Sequence, residues 1–130
     1  RKGKNMNTIQ EDFHKDMIDI GVTHTLLGEQ ILYHAMDKLA EDSILLCCVS
    51  KAVYADISAR MDTNPACIER NLRTFVHKLW NIDDHEYLDR IAGRHLKKKP
   101  TNRQFLDMMR YYWYEKEGVS AHSRTERGCL

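Results

Sequence analysis

The stretch Ala55-Asp56-Ile57-Ser58-Ala59-Arg60-Met61-Asp62-Thr63-Asn64-Pro65-Ala66-Cys67-Ile68-Glu69-Arg70-Asn71-Leu72-Arg73 reads as two short helices around a tight polar turn. Ile57 and Met61 lie four residues apart on the first helix, and Ile68 and Leu72 four apart on the second. Each helix therefore carries an apolar stripe that can face the other across the turn. Ser58 is small where the two must approach. Asp62 sits where such motifs often carry glycine, and Asp is among the few other residues that tolerate a left-handed backbone. Asn64 or Thr63 then caps the second helix, whose first turn holds Pro65, a residue that needs no amide partner there. A capped helix that exposes arginines after a turn of this kind suits the major groove of DNA. Any two amphipathic helices about a polar turn share the pattern, so the rest of the chain has to decide.

At 130 residues the chain is long enough for one domain with a real core and short for two. Two prolines, six glycines and an abundance of Leu, Met, Ala, Glu, Lys and Arg favour an all-α fold over a sheet. No apolar run approaches a membrane span and no secretory leader is visible, which predicts a soluble cytoplasmic protein without membrane contact. A start at Arg1 rather than Met suggests a fragment or a processed chain. Cys47, Cys48, Cys67 and Cys129 and the seven histidines form no CxxC or HxxxH set, so neither a metal site nor another cofactor is expected. Cys47 and Cys48 lie in the apolar run 44–49 and are expected as buried, reduced thiols. No nucleophile, acid and base constellation is assignable, which argues against an enzyme.

A net charge of +1 speaks against a nucleic-acid partner until its distribution is read. Residues 9–42 hold eight acids against two bases, and residues 82–89 hold four acids and no base. Residues 90–110 carry Arg90, Arg94, Lys97, Lys98, Lys99, Arg103 and Arg110 against Asp107 alone, a local charge of +6. Counterions are released where charge is concentrated, not where it is averaged over a chain.

Hydrophobic periodicity and punctuation lay out six helices around one core. Residues 1–10 read as a linker or disordered arm, 11–117 as the domain and 118–130 as a flexible tail. A first short helix through Phe13, Met17, Ile18 and Ile20 ends at Gly21. A second follows Gly28, with Glu29, Asp37 and Lys38 outside, and stops near Asp42. The third covers roughly Leu45 to Met61 and the fourth Pro65 to Trp80, with Ile68, Leu72, Phe75, Val76 and Leu79 buried. Asp83 or Asp84 caps a fifth, closed by Gly93. A basic loop, Lys97-Lys98-Lys99-Pro100-Thr101-Asn102, leads to a last helix capped by Thr101 or Asn102. In its aromatic run, Tyr112 and Trp113 are expected in the core, with Tyr111 and Tyr114 at the surface.

Three stretches in order, Ile18-Asp19-Ile20-Gly21-Val22, Tyr54 through Arg73, and Lys99-Pro100-Thr101-Asn102-Arg103-Gln104-Phe105, resemble the C-terminal DNA-binding effector domain of the sporulation response regulator, the stage zero sporulation protein A family. The resemblance covers residues 12–117, and its last stretch is the most specific. It implies an all-α, six-helix orthogonal domain whose third and fourth helices form the helix-turn-helix. It also implies double-stranded DNA as partner, pairs of protomers on tandem or inverted sites, and contact with RNA polymerase. The phosphoacceptor receiver domain of that family is not among these residues, so phosphorylation control lies on a preceding part or is absent altogether.

Residue by residue, Glu69, Arg70 and Arg73 fall where that family presents its reading residues. Cys67 departs from it, since a thiol cannot make the bidentate contact of a basic or polar side chain with guanine. Arg70 is the first choice for a base contact, with Glu69 either accepting from cytosine or orienting Arg70 or Arg73. Arg73 and His77 lie where they can reach phosphates, though His77 serves equally as a surface residue. Ser50, Lys51, Lys98, Lys99, Thr101 and Arg103 are candidate backbone clamps. The rival reading is a protein-interaction module on the same fold that has lost specific DNA binding.

Overall fold

Helix α4, Pro65–Trp80, touches more of the fold than any local pattern requires, packing on α2 (Leu26–Glu41), α3 (Ala55–Arg60), α5 (Glu86–Ala92) and α6 (Asn102–Tyr111). A further helix, α1, spans Met6–Asp19. The computed structural model describes residues 6–22 and 24–116. Among them are six α-helices and no strand, the all-α class expected, joined in part by tight 3-10 turns and wide π turns.

The helix-turn-helix forms as its chemistry dictates. Asn64 accepts the Cys67 N–H at 2.9 Å and starts α4 at Pro65. Asp62 takes the left-handed conformation (φ 57°), letting Thr63 N–H close back on the Ser58 carbonyl at 2.9 Å. Ile57, Ile68 and Leu72 are buried between the two helices, and Ser58 is buried at their approach.

Several boundaries differ from expectation. Helix α1 reaches back to Met6, into the presumed arm, because Ile9 extends the buried stripe of Phe13 and Met17 by one turn. Residues 1–5 and the tail from 117 onward lie outside the described residues. Gly21 (φ 84°) ends the helix as expected, with Val22 N–H returning to the Met17 carbonyl. Helix α2 starts at Leu26, ahead of Gly28. Gly28 serves contact rather than termination: a Cβ there would sit 2.5 Å from Phe75 Cγ, so only glycine lets α2 lie on α4. Glu29, placed outside by its charge, is 1% exposed. Its carboxylate accepts from Thr25 at 2.8 Å and Tyr33 at 3.0 Å, and His14 Nδ1 lies 2.8 Å away, the partners a buried charge demands. Burial and the Glu29 charge together push the Tyr33 hydroxyl pKa well up.

The long third helix is broken. A 3-10 turn covers Ser43–Cys48, Cys48 swings out of helical geometry (φ −138°), and wide turns over Val49–Tyr54 run straight into α3. Val53, Tyr54 and Ile57 fill the core from this segment, while in the preceding apolar run Leu45, Leu46 and Val49 are only half-buried against it and Ile44 faces solvent. Cys47 and Cys48 are exposed, not buried. Helix α5 lacks the aspartate cap foreseen. Asp84 and His85 are both left-handed, and the His85 ring stacks on Trp80 with centroids 3.5 Å apart while its Nδ1 donates to the Trp80 carbonyl at 2.6 Å.

At the far end, Thr101 caps α6 through a reciprocal box with Gln104. The turn after it widens over Tyr112–Lys116, which brings both Trp113 and Tyr114 inward. Tyr114, expected at the surface, is buried and donates to the Met36 carbonyl at 3.0 Å; Tyr112 is half-buried. Phe13 centres an aromatic cluster with Tyr33, Phe75, Tyr87 and Trp113 at 5.8–6.4 Å, joining α1, α2, α4, α5 and the chain after α6. The pairs with Tyr33, Phe75 and Trp113 are edge-to-face, an arrangement that contributes about 0.5–1.5 kcal/mol per pair beyond burial.

Candidate nucleic-acid interface

With its core face occupied by Ile68, Leu72, Phe75, Val76 and Leu79, α4 turns Ala66, Arg70, Arg73, Thr74 and His77 to solvent. Successive residues advance by about 100° around a helix, which puts Ala66, Arg70 and His77 along the crest of that outer face. Arg70 has no ion pair among the described residues, so all of its guanidinium donors stay available. Arg73 does not share that freedom. It pairs with the Glu69 carboxylate one turn back, which answers which arginine Glu69 holds. Cys67 stands apart, about 160° around the helix from Glu69 by the same geometry. It is half-buried beside Asn71, whose amide donates to the Cys67 carbonyl at 2.8 Å and to its sulfur at 3.2 Å.

Beside the crest runs a groove of about 810 Å³ between α4, the wide turns ahead of α3 and the start of α6. Seven of the residues singled out in the sequence line it: Ser50, Lys51, Glu69, Arg73, Lys99, Thr101 and Arg103. Four cations thus face one carboxylate that is already paired, over a floor that includes Tyr54, Val76 and Pro100. Arg103 is anchored by its Nε, which donates to the Leu46 carbonyl at 2.8 Å, leaving its terminal nitrogens for another acceptor. Thr101 Oγ1 accepts the Gln104 N–H and keeps its own proton to donate. His77 is outside the groove lining but adjacent, its Nδ1 3.4 Å from Lys99 Nζ and its Nε2 3.0 Å from Asn81 Nδ2. Lys98 is exposed on the basic loop and, like Cys67 and Arg70, does not line the groove.

The basic loop is held by Asp89. Its carboxylate accepts the Leu96 N–H at 2.8 Å and faces His95 Nδ1 at 2.9 Å. The Leu96 bond, reinforced by His95, keeps the Asp89 pKa below the ordinary carboxylate range. The residue that composition did not reveal is Asn102. Its amide donates to the Tyr54 hydroxyl and to the Glu69 carbonyl, both at 3.0 Å, tying the start of α6 to both halves of the helix-turn-helix. Burial pushes the Tyr54 hydroxyl pKa up. In the sequence Asn102 stands as an alternative cap to Thr101 and as part of the most specific of the three stretches, and its place as the first residue of the helix is the signal for a tying role.

The family described as sporulation initiation factor Spo0A C terminal matches residues 13–112, most of the chain. The chain belongs to that family. The Spo0A C-terminal domain is a DNA-binding effector domain that regulates transcription, not an enzyme family. The match ends at Tyr112, so it takes in α2 to α6, the groove and the crest of α4 together. Among the described residues, no helix of this Spo0A-type domain is long and apolar enough to cross a membrane, and no group of three His, Cys, Asp or Glu is placed to hold a metal ion.

Proposed function

We propose that this domain is a sequence-specific reader of double-stranded DNA that regulates transcription from the cytoplasm. It lays the crest of α4 in the major groove and clamps the flanking phosphates with the cation-lined groove. The carrying observation is the division of labour around α4: one unpaired arginine at the crest, and Lys51, Arg73, Lys99 and Arg103 gathered beside it. Arg70 reads a guanine edge through its two-pronged donor set. Glu69 holds Arg73 toward the backbone instead of reading a base itself. Ser50, Lys51, His77, Lys98, Lys99, Thr101 and Arg103 supply the sequence-independent part of the affinity. Cys67 lies off the crest, and the base opposite it is read weakly. The working unit is residues 11–117 together with the first turn of α1, acting as paired protomers on tandem or inverted sites and in contact with RNA polymerase.

Fluorescence anisotropy with a duplex selected from a random pool, and with random duplex, at two salt concentrations tests this reading. The selected duplex should bind at least about a thousandfold more tightly, the lower end for specific readers, and both affinities should fall with salt. Absence of binding to any duplex at low salt overturns the reading and leaves a protein-interaction module on the same fold.

A further inference from the structure

Cys47 and Cys48 are consecutive, both exposed, and both line the cationic groove. Free cysteine is among the most buried of residue types, so two exposed thiols at a charged surface ask for an explanation. We propose that this pair is a thiol-modification site, at which a small anionic disulfide forms a mixed disulfide that closes the groove to DNA. The blocking effect rests on the DNA-binding reading above; the modification itself does not.

Access, charge and geometry agree. Both thiols are exposed at the Cys48 break, where the backbone leaves helical geometry. Lys51, Arg73, Lys99 and Arg103 line the same groove, so a small molecule bearing carboxylates is drawn to it. Arg103 is fixed to the carbonyl of Leu46, the residue immediately before Cys47. In the reaction, a thiolate of the pair attacks one sulfur of the small disulfide. The old S–S bond breaks, a new one forms to the protein, and the released small thiolate takes up the proton the cysteine lost. The neighbouring thiol is poorly placed to undo this. Consecutive Cα atoms across a trans peptide are about 3.8 Å apart, below the usual disulfide separation of about 4.4–6.8 Å, and the peptide bonds are trans. The adduct therefore persists, with its carboxylates where phosphates would lie.

The test treats the reduced 130-residue chain with glutathione disulfide, maps adducts by peptide mass, and measures duplex binding before and after. With Cys129 replaced by serine so that the tail thiol does not compete, an adduct should form on Cys47 or Cys48 ahead of Cys67, and duplex affinity should drop by at least about tenfold, as expected on losing one or two phosphate contacts, returning on reduction. The Cys47→Ser/Cys48→Ser double variant should bind duplex to the same extent with and without treatment. Modification of Cys67 first, unchanged duplex affinity of the adduct, or an equal loss in the double variant overturns the proposal. Failure of the untreated reduced chain to bind any duplex counts against the DNA-binding reading and the blocking effect, while the mass map still scores the site.

Discussion

Arg70 and Asp89 show how differently single side chains bear on the domain. The expected effect of Arg70→Ala is a loss of about 1–3 kcal/mol of discrimination at one base position, read by competition with single-base variants of the preferred duplex. Lys98→Ala should instead weaken all duplexes alike and lower the salt slope by about 1. Asp89 acts through the loop. Its folded pKa is depressed, so its contribution to stability is present above the unfolded carboxylate range and is lost as pH falls through the folded value. Thermal melts of Asp89→Asn against the parent should show a gap that is full near neutral pH and narrows on acidification; a gap independent of pH would count against this assignment. The exposed place of Arg70 on α4 was legible in the sequence, because the cap at Asn64 and the buried stripe fix which residues face out. The partner of Glu69 was within reach of the same reasoning, since Arg73 lies four residues on and shares its face, whereas Arg70 follows it directly and points about 100° away.

At the scale of elements, the turn and α4 were readable to the residue because their signals are local: a cap, a proline, a left-handed aspartate and a 3.6-residue stripe. The break at Cys48 was not, because residues 44–49 are apolar enough for a buried helix, whereas the 3-10 turn and the break leave Leu45, Leu46 and Val49 half-buried against the core and turn Cys47 and Cys48 out. Gly28 misled for a related reason. Glycine marks a helix boundary and a close helix contact with the same letter, and here the contact is with Phe75. Gly28→Ala should therefore destabilise the domain by about 1–3 kcal/mol through overpacking, seen as a lower Tm, whereas a helix-propensity gain would raise it. Thr101→Ala removes the α6 cap and should cost about 1 kcal/mol in denaturant melts.

Across the whole molecule, near-neutral charge hides a polarised chain: acids concentrate in residues 9–42 and bases in 90–110. The fold gives that polarity a use by bringing the start of α6 against α4 through Asn102, so bases from distant stretches of sequence share one groove. Sequence order shows the basic run, but only the fold shows that Lys51 and Arg73 join it. The Spo0A C-terminal family is one of DNA-binding domains, and the gathering of cations at this surface is what supports our proposal that DNA lies there. The most direct measurement is the salt dependence of affinity for the preferred duplex, taken for the parent and for Arg70→Ala across a panel of single-base substitutions. The account predicts that Arg70→Ala loses preference at one position and keeps its discrimination elsewhere. A uniform loss across the panel, with preference intact at every position, would contradict it.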